Sequence, residues 1–348
     1  MTRTTVRSED ITAGQVKSAD LASDAVDTAE LANDAVTVAK MNDSAYLANR
    51  NYIINGNFDV WQRGTSFTGA NDWTADRWLI HANGTSPSTT QQTFTPGQTD
   101  VPNFPKYYLR YNAGTSPVDV GEVNQNVEDV GVLGGQQITF TIWAKAASGT
   151  PDLGLLIYQN FGSGGSANNT VMSDNSLWTL STSWQKFTHT VTIDSITGKT
   201  VGASSFTHFR IKMAQDAINK DISQVQVEVS PTATPFEHKT YGQELAACQR
   251  YFQLPGNWQA HSDTSTATAF KIMHSFPVTM RASPTIGTTG TPTCAKMNVN
   301  AGGPTTISVV PTANADGFNG NSFTIMATGA GSAAATNTPY VGIGGFTA

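Results

Sequence analysis

Two hydrophobic periods divide the chain. From residue 11 to residue 46 an apolar side chain returns every fifth position: Ile11, Val16, Leu21, Val26, Leu31, Val36, Met41 and Tyr46. The intervening residues repeat too, Leu-Ala-Ser-Asp-Ala-Val at 21–26 returning as Leu-Ala-Asn-Asp-Ala-Val at 31–36. A fixed short period marks a fibrous or repeat architecture rather than a globular core. On one long α-helix a five-residue step turns the seam by roughly 140°, which would scatter these side chains. The spacings of three and four that build a coiled coil are missing. Short helical turns joined by extended Ala-Val steps fit better. Ser18-Ala-Asp-Leu21 and Thr28-Ala-Glu-Leu31 each set a capping hydroxyl and an acid at a helix start. One copy of so thin a seam cannot bury it. The expectation is a kinked stalk, residues 1–49, intertwined with identical chains; a disordered polar leader is the alternative.

After residue 50 the period becomes two. Ile138, Phe140, Ile142 and Ala144 face one way, and Thr139, Thr141, Trp143 and Lys145 the other. Phe187–Ile193, Phe209–Met213 and Val225–Val229 follow the same scheme. Gly- and Ser-rich turns such as 162–165 separate such runs, and no long helical period interrupts them. That pattern predicts an all-β antiparallel sandwich over 50–240. Tyr241, Leu245, Cys248 and Phe252 then fall on one helical face and predict a short linking helix, 241–252. The last stretch, 253–348, carries Gly, Ala and Thr around short strands near 269–276, 305–311, 321–328 and 339–346. It predicts a small β tip.

Composition narrows the partners. Only 13% of the 348 residues are charged, and the net charge is −6. No basic stripe is present to displace counterions from a phosphate backbone, so nucleic acid is not expected. Met1 to Asp10 is polar with no apolar run behind it. Neither a secretory signal nor membrane insertion is expected, and assembly in a cytoplasm is. Two cysteines, Cys248 and Cys294, form no disulfide framework. The six histidines make no close metal-ligand pair.

Tyr52-Ile-Ile-Asn-Gly-Asn-Phe-Asp-Val-Trp-Gln-Arg-Gly64, followed by Ala75-Asp-Arg-Trp78, resembles the start of a domain common in bacteriophage tail-fibre and tail-appendage proteins. Gln125–Asp129, Thr141–Lys145, Ser183–Phe187, Gln224–Glu228, Thr234–Glu237 and Glu244–Phe252 continue that resemblance in order. Each motif alone is weak; the ordered series, over about residues 50–252, is fairly specific. Phe276–Pro284 is similar to segments near the ends of phage appendage proteins. The domain is also similar to carbohydrate-binding modules of the jelly-roll, galactose-binding-like type. The resemblance implies a homotrimeric virion fibre, joined to tail or other virion proteins through its N-terminus, that binds a bacterial surface glycan. Similar modules carry a structural calcium near the first strand, where Asn57 and Asp59 stand here. Six to eight oxygen ligands cannot be assembled from the sequence, so neither metal nor cofactor is expected.

Sugar recognition needs flat aromatic faces and planar polar groups. The preferred candidates are aromatics in or near loops: Trp73, His81, Tyr158 and Trp178. The second set is a polar strand face, Trp143, Arg210, Lys212, Gln224, Gln226 and Glu228. Trp258, Phe318 and Tyr340 are candidates in the tip. Trp61 and Trp78 are read as core anchors, and Asp76 with Arg77 as a rim pair. Ordinary packing or subunit contact is the competing reading of every candidate. An enzyme is not expected. Glu122, Glu128, Asp129 and Asp152 offer no spacing that singles out a carboxyl pair, and no nucleophile elbow is present. A purely structural fibre or adaptor without a ligand is the alternative, and a polysaccharide depolymerase a more distant one.

Overall fold

A computed structural model describes residues 49–69, 71–83, 87–112, 120–213, 216–254, 256–260, 265–266, 269–282, 287–288, 293–298, 303–308, 310–313, 322–328 and 341–347. The stalk seam from Ile11 to Tyr46, Phe318 and Tyr340 lie outside the described residues.

Eleven strands build the sandwich: β1 (Ser66–Thr68), β2 (Leu79–Asn83), β3 (Ser88–Thr93), β4 (Tyr107–Asn112), β5 (Val120–Glu128), β6 (Gln137–Ala146), β7 (Asp152–Asn160), β8 (Asn169–Thr179), β9 (Gln185–Thr192), β10 (Phe206–Met213) and β11 (Lys220–Val229). They form a six-stranded sheet, β1-β3-β4-β11-β6-β9, and a five-stranded sheet, β2-β5-β10-β7-β8. From β4 to β11 the chain crosses between the sheets at every step except β7 to β8, a jelly-roll path. The pairings are antiparallel.

The core forms because each sheet turns its apolar face inward. Ile138, Phe140 and Ile142 from one sheet meet Leu153, Leu155, Ile157, Phe209 and Ile211 from the other, all at most 1% exposed. Phe140 and Phe209 stack across the sandwich at 6.4 Å. Burying one such side chain contributes about 1.5–3 kcal/mol. Trp78, 1% exposed, donates its indole N–H to the Asn55 carbonyl at 2.9 Å. Trp61, partly buried against the same core, donates to the Phe58 carbonyl at 2.6 Å. Gly56 permits a close approach between the first loop and β11: a Cβ there would lie 2.1 Å from the Val225 carbonyl oxygen.

The helix α1 (Tyr241–Gln249) starts at a reciprocal capping box between Thr240 and Gln243. It ends three residues before the expected limit. Its buried face also differs from the expected one. Tyr241 is 60% exposed, whereas Glu244 and Cys248 are buried. The reason is polar: the Glu244 carboxylate accepts the Asn55 N–H at 2.8 Å, fastening the helix to the first loop. Burial pushes the Cys248 thiol well up, which suits packing and not nucleophilic chemistry.

Beyond α1 stand β12 (Gly256–Ala260), β13 (Ser265–Thr266), β14 (Ala269–Ser275), β15 (Gly287–Thr288), β16 (Thr293–Asn298), β17 (Gly303–Ser308), β18 (Val310–Ala313), β19 (Ser322–Thr328) and β20 (Val341–Thr347). They pair in two antiparallel sheets, β12-β20-β16-β17 and β13-β14-β19-β18, with β15 added to β20. The strands expected near 269–276, 305–311, 321–328 and 339–346 overlap β14, β17 with β18, β19 and β20. No helix among the described residues is long and apolar enough to cross a membrane.

Candidate functional site

The outer face of the five-stranded sheet collects the polar alternates of its strands. Register sets them in ranks. His81 on β2 lies beside Glu122 on β5, and Glu122 beside Lys212 on β10. In the next rank Leu79, Asn124, Arg210, Leu156 and Ser173 follow one another across all five strands. Then come Asn126, His208, Tyr158 and Thr170. Neighbours in a rank stand about 5 Å apart, so the face measures roughly 20 Å by 20 Å.

An aromatic strip crosses this face. Tyr158 and His208 stack at 4.8 Å with 26° between their planes, and Phe206 packs edgewise against Tyr158 at 6.3 Å. Arg210 ties the next rank together. It donates to Glu122 Oε2 at 3.0 Å and to the Tyr158 hydroxyl at 3.4 Å, with its guanidinium carbon 5.2 Å from the Tyr158 ring centre.

Apart from Glu128 Oε1, which faces Arg281 at 2.7 Å, three polar atoms of this face are buried without a hydrogen-bond partner: Asn124 Oδ1, His208 Nε2 and Arg210 Nε. Asn124 is 3% exposed and His208 7%. Buried polar groups normally find partners, and an orphan costs about 1–3 kcal/mol. Burial, followed by the charge of Arg210 and the proximity of His81, pushes His208 down to about 3. Its ring is therefore neutral at pH 7. His208 Nδ1 is hydrogen-bonded to Asn126 Oδ1. With that oxygen accepting, the proton sits on Nδ1 and Nε2 keeps a lone pair. Two acceptors and one donor thus stand unpartnered beside an aromatic ledge, a set whose chemistry suits hydroxyl groups.

The residues expected from sequence separate. His81 and Tyr158 lie on this face, and His81 is hydrogen-bonded to Asn71. Trp178 does not. It pairs with Leu153, faces inward and stacks on Phe140 at 6.0 Å. Trp73, 44% exposed, forms an isolated bridge to Leu79 at the sheet margin. Arg210 and Lys212 belong to the face, but the rest of the polar strand set sits on the other sheet. Gln226 and Glu228, at most 1% exposed, are occupied with the segment at 234–237. Glu228 accepts from the Thr234 N–H and hydroxyl at 2.8 and 2.6 Å, and Gln226 accepts the Glu237 N–H at 2.8 Å. Gln224 reaches the Pro102 carbonyl at 2.8 Å. Trp143 lies on β6 beside Ser223 and Lys186. Trp258 stands on β12 opposite Ile343.

Asn124, Asn126 and His208 were not singled out by sequence. The available signal was polar occupancy at 122, 124, 126 and 128, every second residue of β5. Gln125 obscured it by pointing inward, where its amide accepts from Ile54 N–H at 2.8 Å and donates to the Ile54 carbonyl at 2.9 Å.

The expected Asp76–Arg77 pair is not formed. Asp76 is 1% exposed and takes Arg63 at 2.9 Å; Arg77 turns away to the Asn126 carbonyl at 2.6 Å. Asn57 donates to Asp59 at 2.9 Å. Among the described residues no group of three His, Cys, Asp or Glu side chains gathers as a metal site.

No family model matches the chain, and no curated protein matches it significantly. Solved structures align with about half of it. The enzymatically active domain of bacteriophage CBA120 tailspike protein 4 aligns at 12% identity and TM-score 0.35, over 52% of this chain and 22% of that one. The CBM22-1 xylan-binding domain from Paenibacillus barcinonensis aligns at 14% identity and TM-score 0.30, over 48% and 95%. The N-terminal cellulose-binding domain of Cellulomonas fimi β-1,4-glucanase C aligns at 15% identity and TM-score 0.31, over 49% and 97%.

Proposed function

We propose that this chain is a phage tail-fibre protein whose sandwich binds a bacterial surface glycan along the outer face of the five-stranded sheet. The observation that carries the reading is the trio of orphaned atoms, Asn124 Oδ1, His208 Nε2 and Arg210 Nε, beside the Tyr158–His208 stack. Sugar hydroxyls would satisfy all three, while the aromatic strip covers the apolar side of a pyranose. The ordered tail-appendage motifs over 50–252 supply the biological setting: a virion fibre that self-associates through the N-terminal seam.

Binding without cleavage fits the carboxylates of this face. Glu122 and Glu128 are six residues apart on one strand, about 20 Å at the usual rise. A glycosidase pair needs roughly 5–10 Å. Glu122 is also paired with Arg210, and Glu128 with Arg250 and Arg281.

A glycan-array screen of the full-length protein tests the reading. Tyr158→Leu and His208→Ala, each removing part of the ledge, are expected to weaken the best glycan about tenfold or more. Retained affinity in both variants would refute the site. A protein that binds no glycan at all would leave the structural-fibre alternative. Incubation with the bound polysaccharide should leave its chain length unchanged.

A further inference from the structure

At its α1 end the polar face opens into a cavity of about 420 Å³. Asn126 and Phe206 belong to both, so face and cavity are continuous. The chemistry changes across that boundary, because the cavity is lined by arginine. Arg63, Arg77 and Arg281 all contribute, with Glu128 as the lining carboxylate.

Arg63 is matched by Asp76 at 2.9 Å. Glu128 takes Arg281 at 2.7 Å and Arg250 at 3.1 Å. None of the described ion pairs includes Arg77. With Arg63 and Asp76 cancelling, Arg77, Arg250 and Arg281 stand against the one carboxylate of Glu128, leaving two positive charges in excess. Arg77 is 7% exposed, its guanidinium lies 3.4 Å from the Tyr251 ring centre, and its Nε is buried without a hydrogen-bond partner. A buried cation with an idle donor calls for an anion. Trp73 also lines the cavity and is 44% exposed, so it presents an uncovered aromatic surface.

We propose that this cavity is an acidic-sugar subsite. It would take a uronic acid residue of the glycan, its carboxylate on Arg77 Nε and Arg281 and its ring against Trp73. The proposal rests on the glycan reading of the adjoining face and specifies the ligand class. A neutral stretch of polysaccharide would lie along the Tyr158–His208 strip while the charged residue enters the cavity. One carboxylate brings the excess charge down; it shares the Arg281 guanidinium with Glu128, which also keeps Arg250 at 3.1 Å.

Calorimetric titration of the full-length protein with glucuronate, its methyl ester, glucose and acetate tests this. Glucuronate is expected to bind about tenfold tighter than the ester or glucose, the factor of one charge-assisted contact. Acetate should bind more weakly than glucuronate, because it lacks a ring for Trp73. Arg77→Met should abolish the preference for acid over ester. Arg77 is buried, so Arg281→Gln at the more exposed mouth is the second variant; it should reduce the preference several-fold with native near-UV dichroism. Both variants should keep the binding of neutral oligosaccharides that Tyr158→Leu weakens. Equal affinity for acid and ester, or for acetate and glucuronate, would overturn the subsite and leave the face reading standing. Failure of charged and neutral sugars alike would overturn the glycan reading together with the subsite.

Discussion

His208 carries the sharpest consequence at the scale of a single residue. Its imidazole is buried beside Arg210 and His81, stacked on Tyr158, and held near 3, below an unfolded value of 6.5. Above pH 6.5 both states hold a neutral ring and the site adds no pH dependence. Between 6.5 and about 3 only the unfolded chain takes the proton, so stability falls as pH falls; below about 3 both states are charged. Across pH 7 to 4 this amounts to a loss of about 3 kcal/mol. The informative quantity is the difference between wild type and variant. Denaturant midpoints at pH 7 and pH 4 should drop more in the wild type than in His208→Gln. Equal drops would mean that His208 protonates in the folded protein. The same burial keeps Nε2 an acceptor down to pH 4.5, so glycan affinity should be flat over that range.

At the scale of elements, α1 carries a reciprocal cap at its start and sets Cys248 in the cavity lining. The Thr240 hydroxyl accepts the Gln243 N–H at 3.4 Å, and Gln243 Oε1 accepts the Thr240 N–H at 2.9 Å. Thr240→Ala should cost about 1 kcal/mol and speed amide exchange through 241–249. Unchanged stability and exchange would mean that Glu244 alone anchors the helix. Legibility from sequence followed the same physics. Strands β6, β9 and β10 were readable because one face is apolar and the other polar. β5 was not, because Gln125 stands inward among valines and finds its partners on Ile54, a contact 71 residues distant that no local pattern reports. The helix was readable, but its buried Glu244 was not, since the Asn55 N–H that holds its carboxylate lies 189 residues away in sequence. Trp178 and Tyr158 looked alike in sequence. Strand register alone sends the first into the core and the second to the outer face. Arg77 was misassigned because its neighbour Asp76 was nearer in sequence than Asn126 and Tyr251, which are nearer in space.

At the scale of the whole molecule, a weak site becomes useful through number. Linked sites gain about a hundred- to ten-thousandfold in avidity when geometry allows simultaneous contact. The five-residue apolar seam at 11–46 is the feature of the sequence proposed to link them. Leu21→Asp combined with Leu31→Asp places two charges in that seam at a desolvation cost no exposed salt bridge repays. If the proposed trimer forms through this seam, light scattering should show the mass of the variant falling toward that of one chain. The sandwich and its sheet face should be untouched, so affinity for a soluble monovalent oligosaccharide stays constant. Retention on an immobilised polysaccharide should fall by at least the lower end of the avidity factor. A mass that does not change would remove the seam from the assembly. A changed mass with unchanged retention would show that one head suffices, and that the thin apolar thread serves attachment to the particle rather than grip on the host.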